Sequence, residues 1–337
     1  MSQEISLEDY KATHDRTFFQ RTFGKVERGS LRGAVLALVS TAIGAGCLAL
    51  PVAFRFLGVI LGTIMLLFAS FCAYMGLMGV SLAGHKYRIY NYPDLVKHVL
   101  GSFWGYFLEL TIITYVYGTL IGYQIMIGIF VPNICSSVGI KVDSQEERMI
   151  AMVGANVLVM APLALFRQLS SLRVVSLLSA LALVYITVIV VAEFPYFVNQ
   201  NDFSEVDLFK VDSNIFSGFA FCLYSFACHT NVSQVQGELR ANNLRRVSKV
   251  AMRAVGLIVV PYIALGSFGY LSTLEETPTL ILMRQPPTSI SNDWLMVVAR
   301  VLMTLTLVFA VPINIPPCRA SIIKTLFRVE GTPPFSM

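Results

Sequence analysis

Apolar stretches of about 20 residues alternate with short polar segments along most of this 337-residue chain. A helix needs about 20 apolar residues to cross the hydrocarbon core of a bilayer. The pattern therefore predicts an all-α polytopic membrane protein with eight transmembrane helices. We place them at about 33–56, 58–84, 103–131, 149–166, 174–193, 214–236, 250–272 and 294–316. They form a transmembrane domain over 33–317, between an N-terminal segment 1–32 and a C-terminal tail 318–337.

Composition and charge distribution agree with this class and set an orientation. Charged residues make up 13% of the chain, about half of the roughly 25% that is typical of soluble domains. Most Lys and Arg residues fall in alternate loops, which identifies those loops and both termini as cytoplasmic. The basic cluster from Arg240 to Arg253 follows from this orientation and from contact with the lipid bilayer. It does not indicate a nucleic-acid partner.

The loop after the second predicted helix contains a further, short helix. Asn91 and Pro93 stand at its predicted start, and Asp94 follows in its first turn. Gly101 stands just after its predicted last turn. These residue types are typical of a capped helix, which we expect to lie along the inner membrane surface.

The first predicted membrane helix is interrupted near its centre by the sequence Thr41-Ala42-Ile43-Gly44-Ala45-Gly46. Glycine weakens a helix and exposes backbone polar groups, which a membrane tolerates only where the backbone lines a cavity. Broken helices of this kind hold substrates and coupling ions in secondary transporters. The interruption therefore indicates a transporter.

The sixth predicted membrane helix has a polar interruption, Cys228-His229-Thr230-Asn231, a little past its midpoint. An ionisable residue at membrane depth marks a functional site by default. The alternative is a structural histidine that hydrogen-bonds to a neighbouring helix. Thr230 and Asn231 beside His229 favour the functional site.

The two interrupted helices are five spans apart, so they are predicted to cross the membrane in opposite directions. This is the signature of an inverted five-helix repeat, a 5+5 transporter fold with broken helices 1 and 6. Half-helix N-termini at the breaks would offer positive dipole ends to a carboxylate. Freed carbonyls at the breaks could bind an ammonium group or a cation.

Four segments resemble the amino acid/auxin permease family, which includes the sodium-coupled neutral amino acid transporters and the vacuolar amino acid transporters. Ser40 to Phe54 resembles the family's first helix, and Phe219 to Leu239 resembles its sixth. Arg167 to Arg173 resembles the loop between its helices 4 and 5. The spacing of its eighth helix is kept at Arg300, Pro312, Pro317, Arg319 and Ser321.

The resemblance implies the inverted-repeat fold and transport of amino acids. In the first helix it implies substrate binding at Thr41, Ile43, Gly44, Ala45 and Gly46, where the backbone would receive the substrate's carboxylate and amine. It implies an opposite wall formed by Phe226, Ala227, Cys228, His229 and Thr230.

Two departures from the family pattern bear on coupling and on length. Sodium-coupled members have an Asn where this chain has Ser40, and they have hydroxyl side chains where Val308 and Ala310 stand. Losing these oxygen ligands argues against Na+ and favours either coupling to H+, with His229 as the proton-coupling residue, or facilitated exchange. The family has eleven helices and the inverted repeat needs ten. We therefore expect an eight-span chain to be C-terminally short, as a truncated form or as a reduced variant.

The sequence as a whole predicts a secondary active amino acid permease that carries its substrate in symport with protons. Glu238 would close a cytoplasmic gate by pairing with Arg28 or Arg32, with a solvated helix end as the alternative. The expected location is the plasma membrane or a vacuolar or lysosomal membrane. No enzyme motif, metal site or cofactor site is recognisable. An amino acid sensor and a non-functional truncated transporter are the alternative functions.

Overall fold

The computed structural model describes residues 29–140, 144–155, 172–198, 201, 203–240, 242–287 and 293–327. Within these ranges the α-helices are α1 Leu31–Ala42, α2 Ala45–Leu48, α3 Leu50–Leu57, α4 Val59–Tyr87, α5 Tyr92–Leu100, α6 Ser102–Ser137, α7 Gln145–Ala155, α8 Leu172–Val198, α9 Ile215–Ser225, α10 His229–Glu238, α11 Leu244–Thr273 and α12 Trp294–Phe327. Short 3₁₀ helices lie in the loops at Phe203–Glu205, Leu274–Glu276 and Ile281–Met283.

Six segments of the described chain are long and apolar enough to cross a membrane, so the protein is a multi-pass helical membrane protein. They are Val59–Tyr87, Ser102–Ser137, Ser176–Val198, Ile215–Glu238, Leu244–Glu276 and Trp294–Val311. They correspond to the predicted helices 2, 3, 5, 6, 7 and 8. The predicted helix 149–166 overlaps α7 and otherwise lies outside the described residues. The total of eight spans therefore stays a prediction.

Several helices extend beyond the predicted limits. α6 continues to Ser137 instead of ending near 131, and α11 begins at Leu244 instead of 250. Polar residues mark the edge of the hydrocarbon core, but they do not by themselves end a helix. α11 instead begins at a cap, Asn243, whose side chain accepts a hydrogen bond from the Arg246 amide at 2.9 Å. Such a cap satisfies one of the unpaired N–H groups of the first turn.

The outer surface of the bundle is apolar, as a lipid environment requires. On α4, large side chains three and four residues apart are about half exposed, at Ile64, Phe68, Phe71 and Met75. The opposite face of the same helix is buried, at Leu66, Ala69, Ala73 and Leu77. One face of α4 therefore meets lipid and the other meets the protein core.

The predicted short helix is confirmed as α5. The Asn91 side chain accepts a hydrogen bond from the Asp94 amide at 3.3 Å, and a proline occupies the first turn. Gly101 joins α5 to α6 with a φ of +96°, which only glycine adopts without strain. The residue types at its two ends were sufficient to predict this element.

The two broken helices, α1 to α3 and α9 to α10, lie side by side and antiparallel. At one end of the pair, the Arg240 amide donates to the Gly29 carbonyl at 2.9 Å. At the other end, Gly218 lies so close to Leu57 that a Cβ added to the glycine would be 2.7 Å from Leu57 Cγ. The start of the first helix thus meets the end of the sixth, as their odd separation predicts. The Gly29 end, which the sequence predicts to be cytoplasmic, is called the inner end below, and the Leu57 end is the outer end.

Candidate functional site

The first helix is interrupted twice. α1 ends at Ala42, and Ile43 is extended with φ −77° and ψ 105°. Gly44 precedes the short helix α2 and provides no side-chain cap. Ala49 then separates α2 from α3. The predicted interruption at the glycines is confirmed, and the residues around it alternate between helical and non-helical backbone.

The break in the sixth helix, between α9 and α10, begins before the polar residues that predicted it. α9 ends at Ser225, and the non-helical residues are Phe226, Ala227 and Cys228. His229 is the first residue of α10, and Cys228 provides no side-chain cap for it. Thr230 and Asn231 therefore lie in the first turn of a helix, and the break itself consists of an aromatic residue and two small ones.

The two interruptions meet through their backbones. A Cβ added to Gly46 would lie 2.9 Å from Ser225 Cα, closer than real Cβ atoms approach, and 3.1 Å from the Ser225 backbone nitrogen. The Ser225 hydroxyl is 3.3 Å from the Gly46 carbonyl and 2.8 Å from the Phe221 carbonyl, so it can donate to either. Glycine at position 46 is therefore required for the broken helices to touch at their centres.

Tyrosine hydroxyls donate to carbonyls freed at both interruptions. Tyr262 on α11 donates to the Ala42 carbonyl at 3.1 Å, and its ring lies 5.4 Å from that of Phe226. Tyr115 on α6 donates to the Ala227 carbonyl at 3.4 Å. Each break thus exposes a carbonyl that accepts a hydrogen bond from outside its own helix.

A third tyrosine faces the first break. A Cβ added to Gly44 would be 2.9 Å from the Tyr123 hydroxyl oxygen, although the nearest ring carbon would be 3.6 Å away. The sequence analysis did not identify Tyr115, Tyr123 or Tyr262. A buried tyrosine usually has a hydrogen-bond partner, so tyrosines within apolar spans were the available signal.

His229 contacts α4. Its Nε2 lies 3.2 Å from the Ala73 carbonyl, which accepts a hydrogen bond only if Nε2 carries the proton. Gly76 provides the space for the ring, because a Cβ there would be 2.7 Å from Nε2. This contact with a neighbouring helix fits the structural alternative.

The interruptions are closely packed in this conformation. Ile43 and Phe226 are each 1% exposed, and Cys228 is 3% exposed. The Thr41 hydroxyl donates within its own helix, to the Leu38 carbonyl at 2.9 Å. A cavity of about 10 Å³, room for one water molecule, lies toward the inner end and is lined by Leu38, Val232, Val235, Gln236, Leu239, Val247, Val250 and Ala251. An amino acid can bind at the breaks only if the surrounding helices separate.

A buried ion pair covers the outer end of the bundle. Arg284 in the loop before α12 pairs with Glu193 on α8, and their side chains are 0% and 3% exposed. The guanidinium also lies 4.5 Å from the Phe197 ring centre and donates to the Ser272 hydroxyl at 3.1 Å. Burial lowers the pKa of Arg284, although Glu193 opposes this shift. The members of this pair are 91 residues apart, and no local pattern in the sequence predicts that they meet.

A second set of contacts fixes the same outer loop near the surface. Lys210 lies 2.9 Å from both Asp207 and Glu275, and its hydrogen bonds to these two carboxylates raise its pKa. Arg55 on α3 donates to the carbonyls of Glu275 and Thr277 at 3.1 and 3.2 Å. The loop after α11 is thus attached to the outer half of the first helix.

Glu238, the predicted gate residue, is exposed at the inner end of α10. Its carbonyl lies against Gly29, where an added Cβ would be only 2.5 Å away. Within the described residues, Glu238 forms no salt bridge with Arg32, and Arg28 lies outside them. The structure thus brings the inner ends of the broken helices together through backbone contacts at Glu238.

Comparison with known proteins gives a consistent result. A sequence profile described as "Transmembrane amino acid transporter protein" matches residues 27–336. The chain is 27% identical over 310 residues to vacuolar amino acid transporter 6 of Saccharomyces cerevisiae, covering 88% of this chain and 66% of that protein. It is 27% identical over 322 residues to vacuolar amino acid transporter 5 of the same yeast, covering 90% and 68%. It is 24% identical over 295 residues to human solute carrier family 38 member 10, covering 86% and 26%. The chain thus spans about two thirds of the yeast proteins and a quarter of the human one.

Proposed function

The chain belongs to the transmembrane amino acid transporter family, and from this premise we propose that it is a secondary active amino acid transporter that works by alternating access. The proposal includes the 5+5 inverted-repeat fold and both termini in the cytoplasm. The proposed substrate-binding residues are Thr41, Ile43, Gly44, Ala45, Gly46, Phe226, Ala227, Cys228, His229 and Thr230. The membrane is the plasma membrane or that of a vacuole or lysosome, since two of the relatives are named vacuolar.

One observation supports this location of the substrate site. The two antiparallel broken helices touch at their interruptions, where Gly46 meets Ser225. The carbonyls of Ala42 and Ala227 at these breaks accept hydrogen bonds from tyrosine hydroxyls. A substrate ammonium group has three donors and can replace such hydroxyls when the helices separate. Freed backbone groups at broken helices are where transporters of this architecture hold charged ends of a substrate.

The chemistry of the neighbouring side chains favours protons over sodium as the coupling ion. Val308 and Ala310 are buried, and their side chains contain no oxygen. The hydroxyls of Thr304 and Thr306 donate to carbonyls of their own helix at 2.7 and 3.0 Å. A sodium site needs several oxygen ligands, whereas a proton needs one titratable group, which His229 supplies. In this proposal Glu238 is a gating residue at the inner end.

Uptake of a panel of labelled amino acids into proteoliposomes tests the proposal. The purified chain is reconstituted, and uptake is measured with a proton gradient, with a sodium gradient and with neither. We expect saturable uptake that the proton gradient increases and the sodium gradient does not. Binding without uptake would indicate a sensor, and sodium-driven uptake would contradict the proposed coupling.

A further inference from the structure

The inner half of α4 and the whole of α10 lie side by side and run in the same direction. Near the second break, His229 Nε2 is 3.2 Å from the Ala73 carbonyl. Further inward, Gln236 Nε2 donates to the Ser81 carbonyl at 3.0 Å. The two contacts are eight residues apart on α4 and seven on α10, which corresponds to about 12 and 10.5 Å along the helix axes. These helices therefore form one continuous seam, called the α4–α10 seam below, from His229 toward the inner end.

The α4–α10 seam contains buried polar atoms that lack a hydrogen-bond partner within the protein. Among the described residues, seven buried side-chain polar atoms have none, and four of them belong to Ser81, His85, Ser233 and Gln236. Ser81 is 0% exposed, Gln236 is 2% exposed and Ser233 is 3% exposed. Folded proteins leave few such atoms unpaired, because each costs the desolvation of a polar group.

Spacing places these side chains on one face of each helix. His229, Ser233 and Gln236 are separated by four and three residues, which aligns them on α10. Ser81 and His85 are separated by four residues on α4. The unpartnered atoms are therefore neighbours along a single path and are not scattered through the bundle.

Glycines keep the facing side of α4 open in front of this path. A Cβ added to Gly76 would lie 2.7 Å from His229 Nε2. A Cβ added to Gly84 would lie 3.1 Å from Gln236 Oε1. The smallest residue thus stands where α4 meets the two polar side chains at the ends of the α10 stripe.

We propose that the α4–α10 seam binds a row of ordered water molecules that leads from His229 to His85 at the inner end. Water fits the groups present because the Ser81 and Ser233 hydroxyls must both donate and accept, whereas Gln236 Oε1 can only accept. Buried waters commonly make about three hydrogen bonds to such atoms. A bound cation would use acceptors alone and would leave the hydroxyl protons without partners. That protons travel along these waters rests on the proposed proton-coupled function, but the hydration of the seam does not.

Reaction of introduced cysteines with silver ions tests this proposal. Ag+ is small and reaches thiols through water. A thiol that has bound Ag+ is protected from later alkylation, and peptide mass spectrometry of the full chain identifies each protected cysteine, so the native cysteines need not be removed. Ser81→Cys and Ser233→Cys probe the seam. Leu66→Cys is the matched control, because Leu66 lies on the outer half of α4, outside the seam, and is also 0% exposed. The control leucine belongs to the apolar core, and the small apolar cavity that its replacement by cysteine leaves stays dry.

We expect both seam cysteines to react at least fivefold faster than the cysteine in Leu66→Cys. A smaller ratio at both positions would overturn the proposal. If the cysteine variants do not assemble, thermal unfolding of Ser81→Ala and Ser233→Ala decides instead. Loss of a hydrated hydroxyl leaves the melting temperature unchanged or lowers it, whereas loss of a dry, unpartnered hydroxyl raises it. Both measurements are independent of transport, so a hydrated seam in a protein without uptake would contradict only the proposed function.

Discussion

The two helix interruptions differ in the residues that allow them to pack together. In the first helix, Gly44 and Gly46 leave the backbone bare, and any side chain would collide with a neighbour. In the sixth helix, Phe226, Cys228 and His229 fill the region with side chains of their own. The first interruption therefore depends on the absence of side chains at its glycines, and the second depends on the contacts that its side chains make.

This difference has a physical consequence for substitution. At Gly46 the obstacle is the backbone of Ser225, which cannot move without separating the two broken helices. At Gly44 the obstacle is one hydroxyl oxygen at the far end of Tyr123. Substitutions in the first interruption should therefore act by collision. Substitutions in the second interruption should act by loss of contacts.

The largest effect is expected for Gly46→Val. The valine side chain would push the Ser225 backbone away and hold the broken helices apart, at the upper end of the roughly 1–3 kcal/mol typical of overpacking. We expect uptake to fall at least about tenfold, measured in proteoliposomes at equal amounts of inserted protein. Gly118→Val is the control, because nothing lies within 4 Å of a Cβ at that position. Uptake by Gly46→Val at the wild-type rate would refute the proposed substrate site at the meeting point of the broken helices.

The next effect distinguishes the two glycines. Gly44→Ala should lower the melting temperature because its Cβ approaches the Tyr123 hydroxyl, at a cost of about 1 kcal/mol or more. Tyr123→Phe removes that oxygen, so the double variant should recover most of the loss, as a double-mutant cycle would reveal.

The control for this cycle is Gly46→Ala combined with Tyr123→Phe. It should show no recovery, because the Ser225 backbone remains in place. Equal recovery in both pairs would mean that the hydroxyl is not the specific obstacle at Gly44.

A comparable effect on stability is expected from the tyrosine hydroxyls that bind the two breaks. Tyr262→Phe leaves the Ala42 carbonyl without its partner in a fully buried setting, which costs about 1–3 kcal/mol. Tyr115→Phe removes a longer bond, at 3.4 Å, from a partly exposed ring, so we expect about 0.5–1 kcal/mol. Thermal unfolding in detergent measures both. A larger loss for Tyr115→Phe than for Tyr262→Phe would reverse the proposed order.

The last effect concerns pH: His229→Ala removes the proposed proton-coupling residue and should flatten the pH dependence of uptake. Histidine is the side chain that normally titrates between pH 5 and 8. Gly76→Ala should change the profile in the same direction, because its Cβ would displace the imidazole from Ala73. His98→Ala, on the exposed face of α5, serves as the control. An unchanged profile in His229→Ala would remove this residue as the proton carrier.

Local sequence patterns predicted the features that depend on neighbouring residues in the chain. Glycines within an apolar stretch located the first interruption, and Asn91 with Gly101 located α5. The break in the sixth helix was predicted at Cys228 to Asn231, whereas its non-helical residues are Phe226, Ala227 and Cys228. Phe226 and Ala227 are ordinary helix residues, so nothing local distinguishes them.

Contacts between distant parts of the chain could not be predicted. Tyr262 binds a carbonyl 220 residues away, and Arg284 binds Glu193 across 91 residues. One sequence contains no information on which buried tyrosine or arginine will meet which partner, because that depends on how the helices pack. The antiparallel pairing of the broken helices was an exception, since an odd number of membrane crossings fixes their relative direction.

The central claim is that the substrate binds between the two interruptions. Thermal stabilisation of the purified chain by its best transported amino acid tests this most directly, since a ligand that binds only the folded state raises the melting temperature. The account predicts a saturable increase for the wild type and for Gly118→Val, and none for a folded Gly46→Val. An equal increase in Gly46→Val would contradict it, because the amino acid would then bind somewhere other than the meeting point of Gly46 and Ser225.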